Sequence, residues 1–469
     1  MPDTMIESRN SEPAIAVTLS GGGHRASLFG LGVLLYLVES KKNGSVSSIA
    51  SVSGGSITNA YIGKECDYRN GASEDFQKVT RSLWNRLVFS GVLFAPQTTR
   101  IYLFFVIISA LVSLFSGSGW LFWTFANDWF DIDSVSIVTK NSMLFVALGS
   151  LFLFILLCHW RGKICKSAFS KVLFDNKLLS AITRTNLNHV ICATELDSGW
   201  QVYFSGDFIY SHSIGFRIPK NTLLADVVYA SAAYAPLLPV IELFLSSNTS
   251  KGILLTDGGV YNNMGDQWIV DLKKRKEKIP VDVCNSIHEA DEVIVVNSTA
   301  RLKNSPLKWH HRFPVLREFT LFYRIICAMF DQTTTTRRKR LFSIFEDSLM
   351  KNEGMKGVMV MLEQTPYEVL YHFNKTTEQN FYCQRQRALN VLKTMPEKTC
   401  SEHWNRVREK SLKAPTTLRT IKEEFAQNLV YHSFVLAMIN THVILGYPLF
   451  ERLLDYETFK TDICKKYLG

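Results

Sequence analysis

Two long apolar segments without a charged residue constrain the fold of this chain more than any other feature. They cover residues 101–127 and 141–160. At about 1.5 Å per residue, a helix of either length crosses the roughly 30 Å hydrocarbon core of a bilayer. Tryptophans near the segment ends, such as Trp120 and Trp160, are typical of membrane interfaces. The sequence therefore predicts two membrane-spanning helices, with a pair of buried core helices as the alternative.

The charges around these segments predict the orientation of the two helices. Basic side chains precede the first segment and follow the second: Arg81, Arg86, Arg100, Arg161, Lys163, Lys166 and Lys171. The link between the segments carries Asp128, Asp131 and Asp133 against Lys140. Positively charged flanks stay on the cytoplasmic side of a membrane. We therefore expect an integral membrane protein with two spans, whose termini and remaining residues all face the cytoplasm.

The overall composition agrees with a position at the cytoplasmic face of a membrane. The 469-residue chain carries a net charge of +10 and is 47% hydrophobic. A positive balance suits an anionic membrane surface as well as a nucleic acid; we expect the lipid bilayer as partner and no nucleic acid. The nine cysteines form no CxxC pair, which is typical of reduced cytosolic thiols. No cluster of side chains has the spacing of metal ligands, so we expect no metal and no other cofactor.

Outside the apolar segments, short apolar strands alternate with helical patterns. Strands are predicted at residues 15–19, 48–53, 188–196, 201–206, 252–257 and 291–299, and helices at 28–40, 54–63, 225–236, 368–395 and 416–440. This alternation predicts an α/β fold with a mostly parallel central sheet covered by helices. The basic run TTTTRRKR at 333–340 is predicted to be a solvated loop, with contact to lipid head groups as the alternative.

The two apolar segments interrupt one α/β unit. We expect residues 14–97 to form its first part and residues 98–163 to form the inserted hairpin. Residues 164–450 then form the second part of the unit, which ends in C-terminal helices.

A serine with small neighbours follows the second predicted strand. In SVSGGSI, Ser53 has Ser51 two residues before it and Gly55 two residues after it. A nucleophilic serine on a sharp strand-to-helix turn needs small residues at these positions, because the turn brings backbones together. Serine at the first position is small, but it lacks the conformational freedom of the usual glycine. Ser53 is therefore the candidate nucleophile, and an ordinary loop is the alternative.

A serine hydroxyl needs a base, and the best candidate is an aspartate at a strand end. Asp257 follows the apolar residues GILLT and precedes Gly258 and Gly259. No histidine stands in the strand-end context of a Ser-His-Asp triad, and His24 is expected to be a polar loop residue. Because the carboxyl ends of parallel strands gather at one edge of a sheet, we expect Asp257 to lie beside Ser53. A simple turn is the alternative for this motif.

Three consecutive glycines follow the first predicted strand. The segment SGGGHR places Gly21, Gly22 and Gly23 at the same sheet edge, where their backbone N–H groups can stabilise an oxyanion. The helix after Ser53 would direct its positive N-terminal end at the same point. Ordinary turn chemistry is again the alternative. Together the three motifs predict a site for acyl transfer.

The motifs SGGGHR, SVSGG and DGG, in this order, resemble the patatin-like phospholipases, whose catalytic dyad is Ser-Asp. The segments ICATELDSGWQVYF and VVYASAAYAPLLPV are similar to a strand and a helix of that family, and TTLRTIKEEFAQNLVYHSF is similar to a C-terminal helix of bacterial members. The resemblance runs from about residue 14 to about residue 445, interrupted by the hairpin. It implies that Ser53 is the nucleophile, Asp257 the base and Gly21 to Gly23 the oxyanion hole. It also implies that Arg25 and Gly54 bind the substrate.

These features lead us to expect a membrane-anchored serine hydrolase. It would cleave fatty acyl esters of glycerophospholipids, its membrane substrate, through an acyl-enzyme. A lysophospholipase, a neutral-lipid lipase or an acyltransferase could use the same dyad, and these readings stay open. The alternative from another class is a membrane scaffold that keeps the fold without catalysis. Because both Ser53 and Asp257 are present, the sequence favours the enzyme.

Overall fold

A ten-stranded sheet organises the protein. The computed structural model describes residues 12–130, 137–234, 238–245, 252–280, 283, 287–300, 314–376, 379–395 and 397–469. The link residues Asp131 and Asp133, on which part of the predicted orientation rests, lie outside these ranges.

The strands differ in direction between the centre and one side of the sheet. In chain order they are β1 Ile15–Leu19, β2 Val46–Val52, β3 Asn188–Glu195, β4 Gln201–Phe204, β5 Ile209–Ser211, β6 Gly215–Arg217, β7 Ile241–Leu243, β8 Ile253–Asp257, β9 Glu292–Asn297 and β10 Lys356–Met361. The order is β10-β9-β1-β2-β3-β4-β5-β6, with β8 beside β3 and β7 beside β8. Strands β10, β9, β1, β2 and β3 are parallel, whereas the other pairs are antiparallel.

The parallel centre of the sheet is covered on both faces. Every residue of β1, β2, β3 and β9 is buried, as expected for parallel strands between helical layers. The helices are α1 Gly23–Glu39, α2 Gly54–Glu65, α3 Ser73–Asn85, α4 Gln97–Phe130, α5 Ile137–Phe169, α6 Leu224–Ala232, α7 Gly259–Asn262, α8 Gln267–Val270, α9 Leu272–Lys276, α10 Pro314–Lys351, α11 Pro366–Lys375, α12 Tyr382–Thr394, α13 Glu397–Lys413, α14 Glu423–Leu445, α15 Tyr456–Phe459 and α16 Lys465–Tyr467. The predicted fold class is confirmed.

Helices α1 and α14 pack closely against each other in the core. A Cβ atom on Gly32 of α1 would overlap the Ser433 hydroxyl and the Val430 carbonyl of α14. Farther along the pair, Thr441 donates a hydrogen bond to the Tyr36 hydroxyl at 3.0 Å. Small residues therefore let the two backbones approach each other, and a buried polar contact fixes their register.

Helices α4 and α5 form an antiparallel hairpin. The Tyr102 hydroxyl donates to the Leu157 carbonyl at 2.7 Å, and the Ser113 hydroxyl donates to the Ala147 carbonyl at 3.1 Å. Many of their large apolar side chains, including Phe115 and others along both helices, are exposed. The hairpin is thus not the pair of buried core helices that was the alternative.

In the described part of the chain, three helices are long and apolar enough to cross a membrane by length and composition: Gln97–Phe125, Val138–Phe174 and Glu423–Leu445. The third is α14, and 83% of its most apolar stretch is buried inside the protein, against 6% and 11% for the other two. The first two lie in the predicted hairpin, whereas α14 is a core helix that the sequence places among the ordinary helices.

Three predicted elements differ in the structure. The basic run 333–340 is part of α10 and is not a loop, because Thr334, Leu341 and Phe345 form a buried stripe at helical spacing. The helix predicted at 368–395 is broken between α11 and α12. The helix predicted at 416–440 begins at Glu423.

Candidate active site

A sharp turn at Ser53 joins strand β2 to helix α2. Ser53 has φ 51° and ψ −117°, a combination that residues other than glycine rarely adopt. Helix α2 begins at the next residue, Gly54. The turn therefore holds the serine at the end of the strand and at the positive end of the helix.

Hydrogen bonds from neighbouring elements stabilise this strained turn. The Ser53 N–H donates to Ser231 Oγ at 2.8 Å, and the Ser231 hydroxyl donates to the Cys192 carbonyl at 2.6 Å. Ser56 Oγ lies 2.9 Å from Ser231 Oγ. The turn is thus tied to α6 and β3. Sequence reasoning gave Ser231 no role, although it lies in the segment VVYASAAYAP that carries part of the resemblance.

Ser51 occupies the position at which the resemblance leads us to expect glycine. It belongs to β2 and is buried, so no positive φ is required there. Its hydroxyl donates to the Val190 carbonyl at 3.1 Å and accepts from Asn59 Nδ2 at 2.8 Å. The serine therefore adds hydrogen bonds behind the turn without obstructing it.

The glycine-rich loop packs against the turn. A Cβ atom on Gly54 would overlap the Gly23 carbonyl, and one on Gly55 would lie 2.6 Å from the Leu19 carbonyl oxygen. The Gly55 N–H donates to the Ser20 carbonyl at 3.2 Å. Because α1 begins at Gly23 and α2 at Gly54, the positive ends of two helices converge here, which favours an anion.

The three predicted oxyanion glycines are not equivalent. A Cβ atom on Gly21 would lie 3.1 Å from Ser53 Cβ, so the loop contacts the candidate nucleophile. The Gly21 N–H, however, donates to the Asn263 carbonyl at 3.0 Å. Gly22 and Gly23 have φ 139° and φ 59°, and they stand at the start of α1, where N–H groups have no acceptor within the helix. Their amides are better suited to bind an oxyanion.

Strand β8, which ends at Asp257, runs opposite to β2 and brings Asp257 close to Ser53. Cys192 of β3 pairs with Val52, the last residue of β2, and the adjacent Ala193 pairs with Asp257, the last residue of β8. The two strands thus run towards each other beside β3, and the Ser53 hydroxyl lies close enough to the Asp257 carboxyl group to lower its pKa. The two residues are neighbours, but the reason given from the sequence is wrong, because β8 is antiparallel to β3.

The Asp257 carboxylate is buried, with 4% of the residue exposed. Burial raises its pKa to about 6, and the hydrogen bond from the Gly259 N–H and the nearby Ser53 hydroxyl oppose this rise. The bond from the Gly259 N–H to Oδ1 is 2.7 Å long. Such a carboxylate is ionised at neutral pH and is a stronger base than an exposed aspartate.

His24 is a buried residue of α1 and not the polar loop residue that the sequence predicts. Its backbone N–H donates to the Thr417 carbonyl at 2.8 Å. Burial lowers the pKa of its imidazole to about 4, although the backbone of Arg419 and Leu87 opposes this. The side chain is therefore neutral near pH 7 and has a core environment.

Arg25 places a positive charge beneath the glycine-rich loop. Its Nη2 lies 3.8 Å from the position of a Cβ atom on Gly22, and its Nη1 donates to the Ala414 carbonyl at 3.4 Å. Burial lowers the pKa of the guanidinium to about 10. Arg25 is therefore still cationic at neutral pH.

Helix α10 covers the carboxylate side of the site. A Cβ atom on Gly259 would lie 3.1 Å from Phe330 Cε1, and the rings of Phe330 and Tyr234 are 5.4 Å apart. Ser53 itself is 8% exposed. Substrate can reach the hydroxyl only if neighbouring groups move. Sequence reasoning did not assign α10 to the site, because its residues lie far from the three motifs.

The arrangement provides what nucleophilic acyl transfer needs: a hydroxyl, a base beside it and convergent N–H groups. Among the described residues, no group of three or more His, Cys, Asp or Glu side chains could hold a metal ion.

Comparisons with known proteins identify a family. A sequence model described as "Patatin-like phospholipase" matches residues 17–265. Comparison with curated proteins finds no match. One similar solved structure is human GIVD cytosolic phospholipase A2, with 12% identity, a TM-score of 0.36, and 67% of this chain and 45% of that chain covered. The same human enzyme in complex with methyl gamma-linolenyl fluorophosphonate inhibitor and terbium chloride has 11% identity and a TM-score of 0.38, with 96% of this chain and 60% of that chain covered. VipD from Legionella pneumophila has 11% identity and a TM-score of 0.25, with 91% of this chain and 92% of that chain covered. The chain thus covers less than two thirds of the human enzyme in either structure.

The family match spans more than half of the chain and extends from β1 to just beyond α7. It therefore includes the glycine-rich loop, the turn at Ser53 and the strand that ends at Asp257. The chain belongs to the patatin-like phospholipase family.

Proposed function

We propose that the protein is a membrane-anchored phospholipase of the A type that cleaves fatty acyl esters of glycerophospholipids, with Ser53 and Asp257 as its catalytic dyad. The observation that carries this proposal is the proximity of the Ser53 hydroxyl, held on a strained turn, to the buried Asp257 carboxylate. Membership of the family supports lipid hydrolysis, and this proximity supports the assignment of the two roles.

In the first half of the reaction, Asp257 removes the proton of Ser53 as its oxygen attacks the acyl carbonyl carbon. The resulting oxyanion lies against the amides of Gly22 and Gly23, where the positive ends of α1 and α2 stabilise it. Protonated Asp257 then gives its proton to the departing lysophospholipid oxygen. The fatty acyl group remains as an ester of Ser53.

In the second half, Asp257 removes a proton from water, which attacks the acyl-enzyme. The second oxyanion occupies the same position as the first. When it collapses, Asp257 returns the proton to Ser53, and the free fatty acid leaves. One carboxylate thus serves as base and acid in turn.

Arg25 and Gly54 have supporting roles in this proposal. The cationic guanidinium beneath the glycine-rich loop raises the local potential for a lipid phosphate or an oxyanion. Gly54 starts α2 beside the Gly23 carbonyl, where a side chain would separate the two helix ends. Both residues therefore favour binding of an anionic substrate.

We further propose that residues 98–163 anchor the enzyme in a bilayer, with both termini in the cytoplasm. The exposed apolar side chains of α4 and α5 and the basic residues flanking the hairpin support this. An anchor keeps the site beside an insoluble substrate and raises its effective concentration.

Single substitutions at the dyad test the proposal. Ser53→Ala and Asp257→Asn should each reduce phospholipid hydrolysis to background, and the double variant should lose little more, because the two residues act as one unit. Fatty acid release from phospholipid vesicles and labelling by a fluorophosphonate probe measure the effect. The exposed residues Ser180 and Asp197 provide the matched controls Ser180→Ala and Asp197→Asn, which should keep full activity. Independent, additive losses at Ser53 and Asp257, or labelling that persists in Ser53→Ala, would refute the dyad.

A further inference from the structure

One exposed face of helix α10 changes from apolar to polar along its length. Phe322, Ile325 and Met329 are 64%, 58% and 64% exposed. Their spacing of three and four residues places them on one face of the helix. The same face continues with the exposed polar residues Gln332, Thr336 and Lys339. Phe322, Ile325 and Met329 thus lie in the N-terminal half of α10, and polar residues follow them on the same face.

The N-terminal half of α10 also contacts the active site. Phe330 lies against Gly259, two residues after Asp257. Cys327 Sγ is 3.8 Å from the Tyr234 hydroxyl, and the Tyr234 and Phe330 rings are in edge contact. One side of this half-helix therefore covers the dyad, while the other presents Phe322, Ile325 and Met329 to the exterior.

The hairpin leaves the α/β unit next to the same elements. Lys166 of α5 forms an ion pair with Asp226 of α6 at 3.0 Å. Pro239 Cγ lies 3.3 Å from the position of a Cβ atom on Gly162 of α5. Helix α6 leads directly to Tyr234, which contacts α10. The end of the hairpin and the N-terminal half of α10 thus adjoin the same short segment of chain.

We propose that the face formed by Phe322, Ile325 and Met329, here called the docking face, inserts into the surface of an anionic phospholipid bilayer. The polar continuation of the face and the exposed basic residues Lys339 and Arg340 then lie at the lipid head groups, as in helices that lie in a membrane interface. The inference rests on the proposed membrane-anchored function. Continuity with the hairpin and the net charge of +10 favour a lipid surface over a protein partner.

Docking explains how substrate reaches a nearly sealed site. When one face of α10 is drawn into the bilayer, the opposite face, which carries Phe330 and Cys327, shifts relative to Asp257. A phospholipid can then pass from the bilayer to Ser53 without crossing water. The docking face therefore acts in substrate capture, separately from the anchor.

Photo-crosslinking tests where the docking face lies. A benzophenone amino acid replaces Ile325 in the full-length protein, reconstituted in vesicles of phosphatidylcholine and phosphatidylglycerol. The matched position is Phe342, an exposed residue of the C-terminal half of α10. We expect a phospholipid adduct at position 325 and little at position 342. A crosslinked dimer would assign the face to a second copy, and adducts absent at position 325 would place it in water; either result overturns the inference.

Hydrolysis assays separate this inference from the proposed function. The variant Phe322→Ser/Ile325→Ser/Met329→Ser should lose about tenfold or more in activity on vesicles, because interfacial binding scales with buried apolar area. Its activity on a water-soluble short-chain ester should stay within about twofold of the wild type, and Phe342→Ser should change neither activity. Equal loss on both substrates would show that the face is structural. A wild type that cleaves the ester but no phospholipid would refute the proposed substrate, while the lipid adduct would still report docking.

Discussion

In the proposed mechanism, the charge of one carboxyl group determines the pH at which Ser53 can be activated. Asp257 must be ionised to accept the serine proton, and burial raises its pKa to about 6. Activity should therefore be full above this pH and fall about tenfold per pH unit below it. This fall is the acid limb of the pH profile, and kcat/KM on an uncharged short-chain ester measures it.

The same profile distinguishes a carboxylate from a histidine as base. His24→Ala should keep substantial activity and the same limb near pH 6, because the neutral imidazole of His24 is a buried part of α1. A limb close to pH 4 in the wild type would show that Asp257 is not in its buried environment. Loss of the limb in His24→Ala would assign the titration to the histidine.

At individual residues, the sequence predicts identities better than contacts. Ser53, Asp257 and the glycines follow from motifs, because strained turns and close backbone approaches restrict which residue types fit. Ser231, which accepts the Ser53 N–H, does not follow, because a buried serine has no distinctive pattern. The acceptor for the Gly21 N–H, the Asn263 carbonyl, depends on a tertiary contact. The sequence shows where local geometry restricts the residue type, but it does not show which residues distant along the chain become hydrogen-bond partners.

At the scale of elements, hydropathy alone does not separate a core helix from a membrane span. Helix α14 passes the same length and composition criterion as the hairpin helices. It differs in the polar residues that it buries: His432 Nδ1 contacts Ser411 Oγ at 3.0 Å, and its Nε2 contacts the Gln364 carbonyl at 2.8 Å. Its partner α1 packs closely against it at Gly32, where no side chain separates the two helices. Helix α1 and strands β1 to β4, β8 and β9 were predictable from apolar runs, whereas β5, β6, β7 and β10 were not predicted. Helix α10 was missed because its buried stripe is interrupted by threonine and arginine.

The packing of α1 on α14 gives a prediction at this scale. Replacing an interior helical glycine by alanine usually stabilises a helix by about 1 kcal/mol. Gly32→Ala should instead destabilise the protein by roughly 1–3 kcal/mol, because its Cβ would overlap Ser433 and Val430. Thermal unfolding in detergent measures the change. Gly44→Ala is the matched control, since nothing lies within 4 Å of a Cβ there. Equal stability of the two variants would show that the helices do not pack as closely as described.

At the scale of the whole molecule, the sheet is continuous across the hairpin. Strand β2 precedes the hairpin and β3 follows it, yet the two are paired in parallel from Ser48 to Val52. Gln97 and Lys171 line the same cavity of about 500 Å³, so the two ends of the hairpin emerge near each other. An insertion with this geometry can be removed without separating Ser53 from Asp257. The sequence predicts such an insertion, because two apolar segments interrupt an alternating pattern of strands and helices. The proximity of the two ends of the insertion depends on the folded sheet.

Deleting the hairpin should therefore separate anchoring from chemistry. A variant in which a short glycine linker joins Gln97 to Ser167 should keep activity on a dispersed short-chain ester within a fewfold of the wild type. It should be released from membranes by carbonate, whereas the wild type should not. Hydrolysis of bilayer phospholipid should fall strongly, because binding through the docking face alone lacks the gain in effective concentration from a second attachment.

The comparison of the two substrates determines what the hairpin contributes. If both activities fall alike while circular dichroism shows a folded protein, α4 and α5 also position the catalytic elements. The contacts that would transmit this effect are those of Lys166 with α6 and of Gly162 with Pro239. Adding the docking-face substitutions to the deletion should remove the residual hydrolysis of vesicles without further loss on the ester. A protein whose two membrane attachments act independently must show this order of losses, since each attachment raises the local substrate concentration and neither touches Ser53.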